Sequence, residues 1–431
     1  MSGTNRVWIR MVFLCLLAPL FFPQPLRAAD PDQTPTIRGE LTQVDGVRVL
    51  RVTGDAADRG FAHGYLMARE IIDLIDGYLQ AKDVSGGPRQ FEALARGLTH
   101  VMAVPSPFLV EIDGMLAGIE KRLDGNTTIP LLNRKLTRND LVVMNCVPDA
   151  VGFGCSSFMA WGNRTKDGKT ITGRNLDWHS IDALRNTQLV IAHIPAKDSK
   201  EAAWLSVAWP GMIGCLTGMN ERGVTLSMHD GPTKRGVDGV EATPRGFALR
   251  MALETARPGH LEEDVLSVFQ KNRVMVGNIV PVSGPSSGET PPAMVFEYDN
   301  VRKNAKGVTV RHAGAHGTED AAADDYQIAT NHFRERSAAQ SCNRYEKLSK
   351  TFEKSRDDPI VTLARAWKLL ERVSMNGGGL VTYQSVIFEP DDMKMHVSFS
   401  TADDVAPNGK RVTLNVADLL KRPVSVAASG E

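Results

Sequence analysis

The chain carries no excess charge of either sign: 50 Lys and Arg balance 50 Asp and Glu over 431 residues. It also has no basic block. Both absences argue against nucleic acid, or a membrane surface, as its main partner. Beyond the first thirty residues no apolar run is long enough to cross a bilayer, so no membrane span is expected. Cysteine is scarce, five in all, and the four outside the N-terminal segment (Cys146, Cys155, Cys215 and Cys342) are scattered. They do not make a disulfide framework. No internal repeat and no long linker divides the chain into independent domains.

What is present begins with a leader pattern. Arg6 and Arg10 precede the apolar run "MVFLCLLAPLFF", and "LRAAD" offers small residues for cleavage near Ala28 or Ala29. That layout predicts a signal peptide over residues 1–29 and a secreted or periplasmic product.

From there to about Ala150 the chain reads as one short strand, "VRVLRVTG", followed by helices. Apolar residues recur at helical spacing from Phe61 to Leu79. Ser106 with Pro107, and Thr137 with Asp140, read as helix starts. At Gly152 the character changes to hairpins. "SSFMAW" and "KTITGRNLDW" flank a turn at Lys166-Asp167-Gly168, and a second hairpin turns at Asn220-Glu221-Arg222. Helices, strands, helices and final strands follow, with "NGGG" (Asn376 to Gly379) read as a helix exit. Antiparallel sheets covered by helices make a layered α+β domain.

Cys155 stands at the head of the first hairpin, after Gly154 and before Ser156 and Ser157. A lone cysteine there is usually a small buried hydrophobe. A nucleophile is the sharper reading, and it needs a base. His179 is the only histidine near it in sequence. A cut between Gly154 and Cys155 would supply another base, an α-amine titrating at about pH 7.7–8.0. Gly154 lacks a Cβ, so its carbonyl is open to attack. The hairpin also returns Arg174 and Asp177 beside the cysteine end, where an Arg–Asp pair could hold the thiol and orient the amine.

"GCSSF", "GRNLDW", "GMNERGV" and "ATNHF", in that order, resemble the acyl-coenzyme A:6-aminopenicillanic acid acyltransferase family of autoproteolytic N-terminal-nucleophile hydrolases. That family is related to choloylglycine hydrolase and penicillin V acylase. "DRGFAHGYL" and "EIDGMLAGIE" add to the resemblance, which runs from about Asp55 to about Phe388. It implies an αββα sandwich, two stacked antiparallel sheets between helical layers. It implies self-cleavage at Gly154–Cys155, leaving a mostly helical segment 30–154 and a larger catalytic chain 155–431. By the same resemblance Cys155 is the nucleophile and Arg174 and Asp177 flank it. Asn220 and Asn331 hold the oxyanion, and a later arginine, Arg344 or Arg365, completes the outer shell. Neutral amide donors suit an oxyanion because they gain no charge themselves. No cofactor and no metal are implied. The expected substrate is a small N-acyl amide; acyl group and oligomeric state stay open.

Two rivals carry different chemistry. "GPSSG" fits the G-x-S-x-G elbow of a serine hydrolase acting through Ser286, but a strand rather than a helix follows it. The chain could also be an exported binding protein on the same fold, with Cys155 inert. Taken singly, Asn220 suits a turn, Asn331 a strand end, and Arg174 with Asp177 an ion pair. "HAGAH" (His312 to His316) has two histidines with Glu319 and Asp320 nearby, in a loop poorly suited to a metal.

Overall fold

A computed structural model describes residues 36–233, 241–286, 291–300, 307–314, 325–338, 340–354 and 360–422. The predicted leader, residues 1–29, lies outside them, as do His316, Glu319, Asp320 and Gly288. Among the described residues no helix is long and apolar enough to cross a membrane.

The described chain is an α+β sandwich of two stacked sheets between helical layers. One sheet has 10 strands and runs from Gly39–Val44 at one edge to Thr309–His312 at the other. The other has 7, with Gly154–Gly162 and Gly168–His179 near its centre. Val190, Ala192 and Leu205 of the first pack against Val386, Phe388 and Val397 of the second, so these faces form the inner core. Outside the first sheet, Leu50, Val52 and Ile191 join the N-terminal helices in one large core. Outside the second, Phe158 and Ile328 meet Tyr345, Leu348 and Trp367 of two helices. One expectation needs correction: Val47–Gly54 and Leu189–Pro195 pair in parallel, so the larger sheet is mixed. The chain between them forms helices, a separate two-stranded sheet and two strands of the other sheet, so the link crosses over and no hairpin is possible.

Local signals placed most elements. Thr137 and Asp140 form the reciprocal capping box at the start of Arg138–Ala150. The helical run over Phe61–Leu79 is two helices, Ala56–Leu66 and Ala68–Gln80, broken at Met67. The "NGGG" stretch is a hairpin rather than a helix exit: Asn376–Gly377 pairs with Leu380–Glu389, and Gly378 and Gly379 take positive φ. Close approach explains another glycine set. A Cβ on Gly60 or Gly64 would lie 1.9 or 2.0 Å from the carbonyl of Glu111 or Met115 in the helix Ser106–Arg122. Gly114 and Gly118 face back in the same way, so the two helix backbones touch.

Charge is buried across this layer. The Glu111 carboxylate takes Arg250 at 2.8 and 3.0 Å and Arg59 at 3.4 Å, and Arg250 also takes Glu254 at 2.7 Å. Burial alone would raise the Glu111 carboxyl, but Arg250 and Arg59 outweigh it and hold it below its ordinary range. His63 lies in the same region, with Nε2 accepting the Gly211 N–H at 2.9 Å. Burial pushes His63 down to about 4 from 6.5, so it is neutral when folded. The unfolded chain therefore binds this proton first. Stability is fully present above pH 6.5 and is lost as pH falls towards 4, by about 3 kcal/mol from this group. Urea unfolding from pH 7 to pH 4.5 should show a declining midpoint, and His63→Gln should flatten part of that decline. An unchanged slope in the variant would mean that His63 is not the titrating group. His193 and His229 are also buried and held well below their ordinary value, so they add to the same decline, as does the lowered Glu111 carboxyl.

Candidate active site

Cys155 is the second residue of Gly154–Gly162 and is fully buried. The strand pairs with Gly168–His179 so that Gly154 faces Asp177 and Cys155 faces Leu176. Alternation then sorts the side chains. Cys155 and Arg174 point into the space between the sheets. Asp177 points outward to the helix Asn343–Lys354.

On the inner side, Arg174 Nη2 lies 3.6 Å from Cys155 Sγ and donates to the Met228 carbonyl at 2.9 Å. The thiol itself reaches that carbonyl at 3.4 Å. Burial pushes the Cys155 thiol up to about 11; Arg174 and Arg344 pull it down, while Asp177 and Asp230 push it up. As it stands, the thiol is protonated at neutral pH.

On the backbone side, the Cys155 N–H donates to Asn331 Oδ1 at 2.8 Å. Arg344 bridges two groups, donating to the same Asn331 oxygen at 2.7 Å and to Asp177 Oδ2 at 2.6 Å. Thr382 donates to the other Asp177 oxygen at 2.6 Å. Burial raises the Asp177 carboxyl, and Arg344, Thr382 and Arg174 partly offset that. A Cβ on Gly154 would lie 3.1 Å from Asp177 Cβ, so this position has little room for a larger residue.

The segment before Cys155 is held as well. The Phe153 N–H donates to Asp230 Oδ2 at 3.0 Å, and Asn331 Nδ2 donates to the Phe153 carbonyl at 3.2 Å. Arg245 pairs with Asp230 at 2.7 Å, and its backbone N–H donates to Asp149 at 3.2 Å. Asp149 lies near the end of the helix Arg138–Ala150, so the same network anchors the approach to Gly154.

Cys155, Arg174, Asp177 and Asn331 thus converge on one peptide bond. Asn220 does not join them, which corrects its assignment beside the oxyanion. Its Nδ2 donates to the Leu253 and Ala256 carbonyls at 2.8 and 3.0 Å, capping the end of the helix Arg245–Thr255. Its Oδ1 accepts the Arg222 and Val224 N–H groups, which shapes the turn. All its polar capacity is used for structure. Of the two candidate arginines, Arg344 is in the site. Arg365 lies on the exposed start of another helix, where it donates to the Ile360 carbonyl.

Asp230, Arg245 and Thr382 were not anticipated. Asp230 sits in "MHDG", which reads as a turn, and Thr382 carries no signal outside the folded structure. Ser286 donates through its hydroxyl to Asp391 at 2.8 Å, not to a histidine that could act as its base. His312 pairs with Glu262 at 3.4 Å, and no metal-ligand cluster occurs among the described residues. Cys146, Cys215 and Cys342 are buried thiols.

Residues 163–358 match the family model described as acyl-coenzyme A:6-aminopenicillanic acid acyl-transferase. The match is a likeness over that stretch, to a family whose name describes acyl transfer. Among curated proteins it is similar to protein dcd1B of Dictyostelium discoideum, with 25% identity over 224 residues. It is also similar to an uncharacterised protein of Archaeoglobus fulgidus, with 24% identity over 228 residues. Each alignment covers 47% of this chain and spans only 42% and 36% of those proteins. Among solved structures, a Caenorhabditis elegans N-acylethanolamine-hydrolyzing acid amidase ortholog is 14% identical, with TM-score 0.40. That match covers 61% of this chain and 99% of the other. Penicillin V acylase from Agrobacterium tumefaciens is 13% identical, with TM-score 0.37, over 62% of this chain and 88% of its own.

Proposed function

We propose that this chain is an exported, self-cleaving cysteine amidohydrolase or acyltransferase that acts on the amide bond of an N-acylated small molecule or peptide. The observation that carries this reading is the convergence on Gly154–Cys155. The leaving nitrogen rests on Asn331, the sulfur on Arg174, and the preceding residue on Asp230.

In self-cleavage Cys155 Sγ loses its proton and bonds to the Gly154 carbonyl carbon. The bond from that carbon to the Cys155 nitrogen breaks, and the nitrogen gains a proton to become an α-amine. Water then adds to the thioester, the carbon–sulfur bond breaks, and the thiol regains its proton. The new amine stays beside Asn331 Oδ1 and the Asp177–Arg344 pair; in model peptides such an amine titrates at about pH 7.7–8.0. Nucleophile and base then sit on one residue.

In turnover the same sulfur attacks the substrate amide. Asn331 Nδ2, now on the Phe153 carbonyl, becomes available for the oxyanion once the tail leaves. The thioester passes its acyl group to water, or to an amine. Export disfavours an acyl-coenzyme A donor, so hydrolysis is the preferred outcome. Residues 30–154 and 155–431 would remain together through the buried Glu111–Arg250 and Asp149–Arg245 contacts.

Intact-mass measurement of the purified wild-type protein tests this. Two fragments are expected, the larger beginning at Cys155. One unbroken chain would remove the α-amine mechanism and make Cys155 a buried structural thiol, as in a non-catalytic binding protein.

A further inference from the structure

On the reading above, the first acyl group this site transfers is its own. The acyl half of the Gly154–Cys155 bond is Gly154 with Phe153 behind it. The thioester of self-cleavage and that of turnover share one sulfur and one carbonyl position. The place now filled by Phe153 therefore reports where a substrate's acyl group must go.

That place is well defined. The Phe153 ring is buried and meets the Trp178 ring edge-on, with centroids 4.7 Å apart and planes at 60°. Trp178 is backed by Trp209 at 6.3 Å, and Trp209 by Tyr383 at 6.0 Å. Tyr383 is locked by hydrogen bonds to the backbone of His179 and Ile181, which makes the wall rigid. Trp178 Nε1 is buried and has no hydrogen-bond partner, so the wall offers an unused donor beside its apolar face.

Phe153 is also the part that can leave. The helix before it ends at Ala150, and the segment 151–154 lies beyond it. Beyond the burial of its ring in the core, two hydrogen bonds and the Trp178 ring contact hold Phe153. After hydrolysis Gly154 ends in a carboxylate directly across the strand pair from Asp177, whose cation Arg344 is already engaged. Asp230, one residue away on the Phe153 N–H, adds a second negative charge, itself paired with Arg245. Like charges facing each other across paired strands are destabilising, so the cut weakens the tail's own hold.

We infer that the substrate's acyl group replaces Phe153 against Trp178. The backbone sets the reach: about six bonds separate the Gly154 carbonyl carbon from the Phe153 ring. The preferred class is an extended acyl chain that ends in an aromatic or similarly broad apolar group at that distance. In the step itself the acyl carbon–nitrogen bond breaks, the amine leaves with a proton, and water supplies the oxygen of the released acid.

The test uses the self-cleaved wild-type protein with three 7-amino-4-methylcoumarin amides: acetyl, hexanoyl and 6-phenylhexanoyl. The expected kcat/KM order is 6-phenylhexanoyl, then hexanoyl, then acetyl. Burial of one ring favours the first over the last by about 10- to 100-fold. Trp178→Ala should bring that ratio close to unity. Trp178→Phe, which keeps an aromatic wall, should retain most of it and guards against a folding defect. Phe153→Ala should slow the appearance of the two fragments about tenfold, because it truncates the internal acyl group. Hydrolysis of all three amides at equal kcat/KM would overturn the inference and leave the cysteine mechanism standing. So would a Trp178→Ala protein that lowers all three rates without changing their ratio. A wild-type protein that neither cuts itself nor hydrolyses any of them would overturn both.

Discussion

Cys155→Ala is expected to yield one unbroken polypeptide with no measurable turnover. Two losses combine in that variant. In the proposed mechanism the sulfur that attacks Gly154 is gone, so no thioester forms and no α-amine is released. Any later reaction would then lack both nucleophile and base. Removing the nucleophile of a hydrolase costs on the order of 10⁶ in kcat, and here the base is lost with it. The fold should tolerate the change, because the thiol makes one weak contact to the Met228 carbonyl and one to Arg174. Arg174 keeps its 2.9 Å bond to Met228 without the sulfur. Mass spectrometry and release of an acylated fluorophore would read both effects. Ser286→Ala should leave both unchanged, since that hydroxyl belongs to a contact with Asp391. The reverse pattern, activity lost with Ser286 and kept without Cys155, would transfer the chemistry to the serine.

Glu111→Ala is expected to lower stability by about 3–5 kcal/mol. The substitution leaves Arg250 and Arg59, 1% and 4% exposed, without their shared counter-ion. Breaking one side of a buried ion network costs more than the network contributes, because the remaining charge stays desolvated. Arg250 retains Glu254 and the Ile213 carbonyl, so the loss falls short of an isolated buried charge. The contact spans the proposed cut: Glu111 belongs to the helix Ser106–Arg122 and Arg250 to the helix Arg245–Thr255. In a self-cleaved protein the variant should therefore shed its smaller fragment at lower denaturant than the wild type. Equilibrium unfolding with size-exclusion chromatography measures this. A loss below about 1 kcal/mol would mean that water or a rearranged side chain solvates the arginines.

Much of the fold was legible because its cues are local. The Thr137 capping box, the Asp167-Gly168 turn and the alternation around Cys155 each operate within a few residues. Two misreadings show the limit. Asn220 stands in the right motif and the right turn, yet its carboxamide is consumed by carbonyls more than thirty residues further on. "NGGG" follows a helix and permits any turn, so pairing with Leu380–Glu389 decided its form. The parallel pairing of Val47–Gly54 with Leu189–Pro195 could not be read from strand pattern either, since alternation carries no partner.

The sequence by itself determined the α+β class, the hairpin that returns Arg174 and Asp177 beside Cys155, and the glycine that opens the bond before it. Those features depend on backbone preferences and on a strand period of two, both written in consecutive residues. Only the tertiary structure decided that Asn331 meets the Cys155 N–H, that Arg344 rather than Arg365 reaches Asp177, and that Asp230 and Thr382 complete the arrangement. Those contacts join residues up to 205 positions apart. They arise because two sheets and a covering helix bury polar groups that must find partners once water is excluded, and no local pattern encodes which partner each will find.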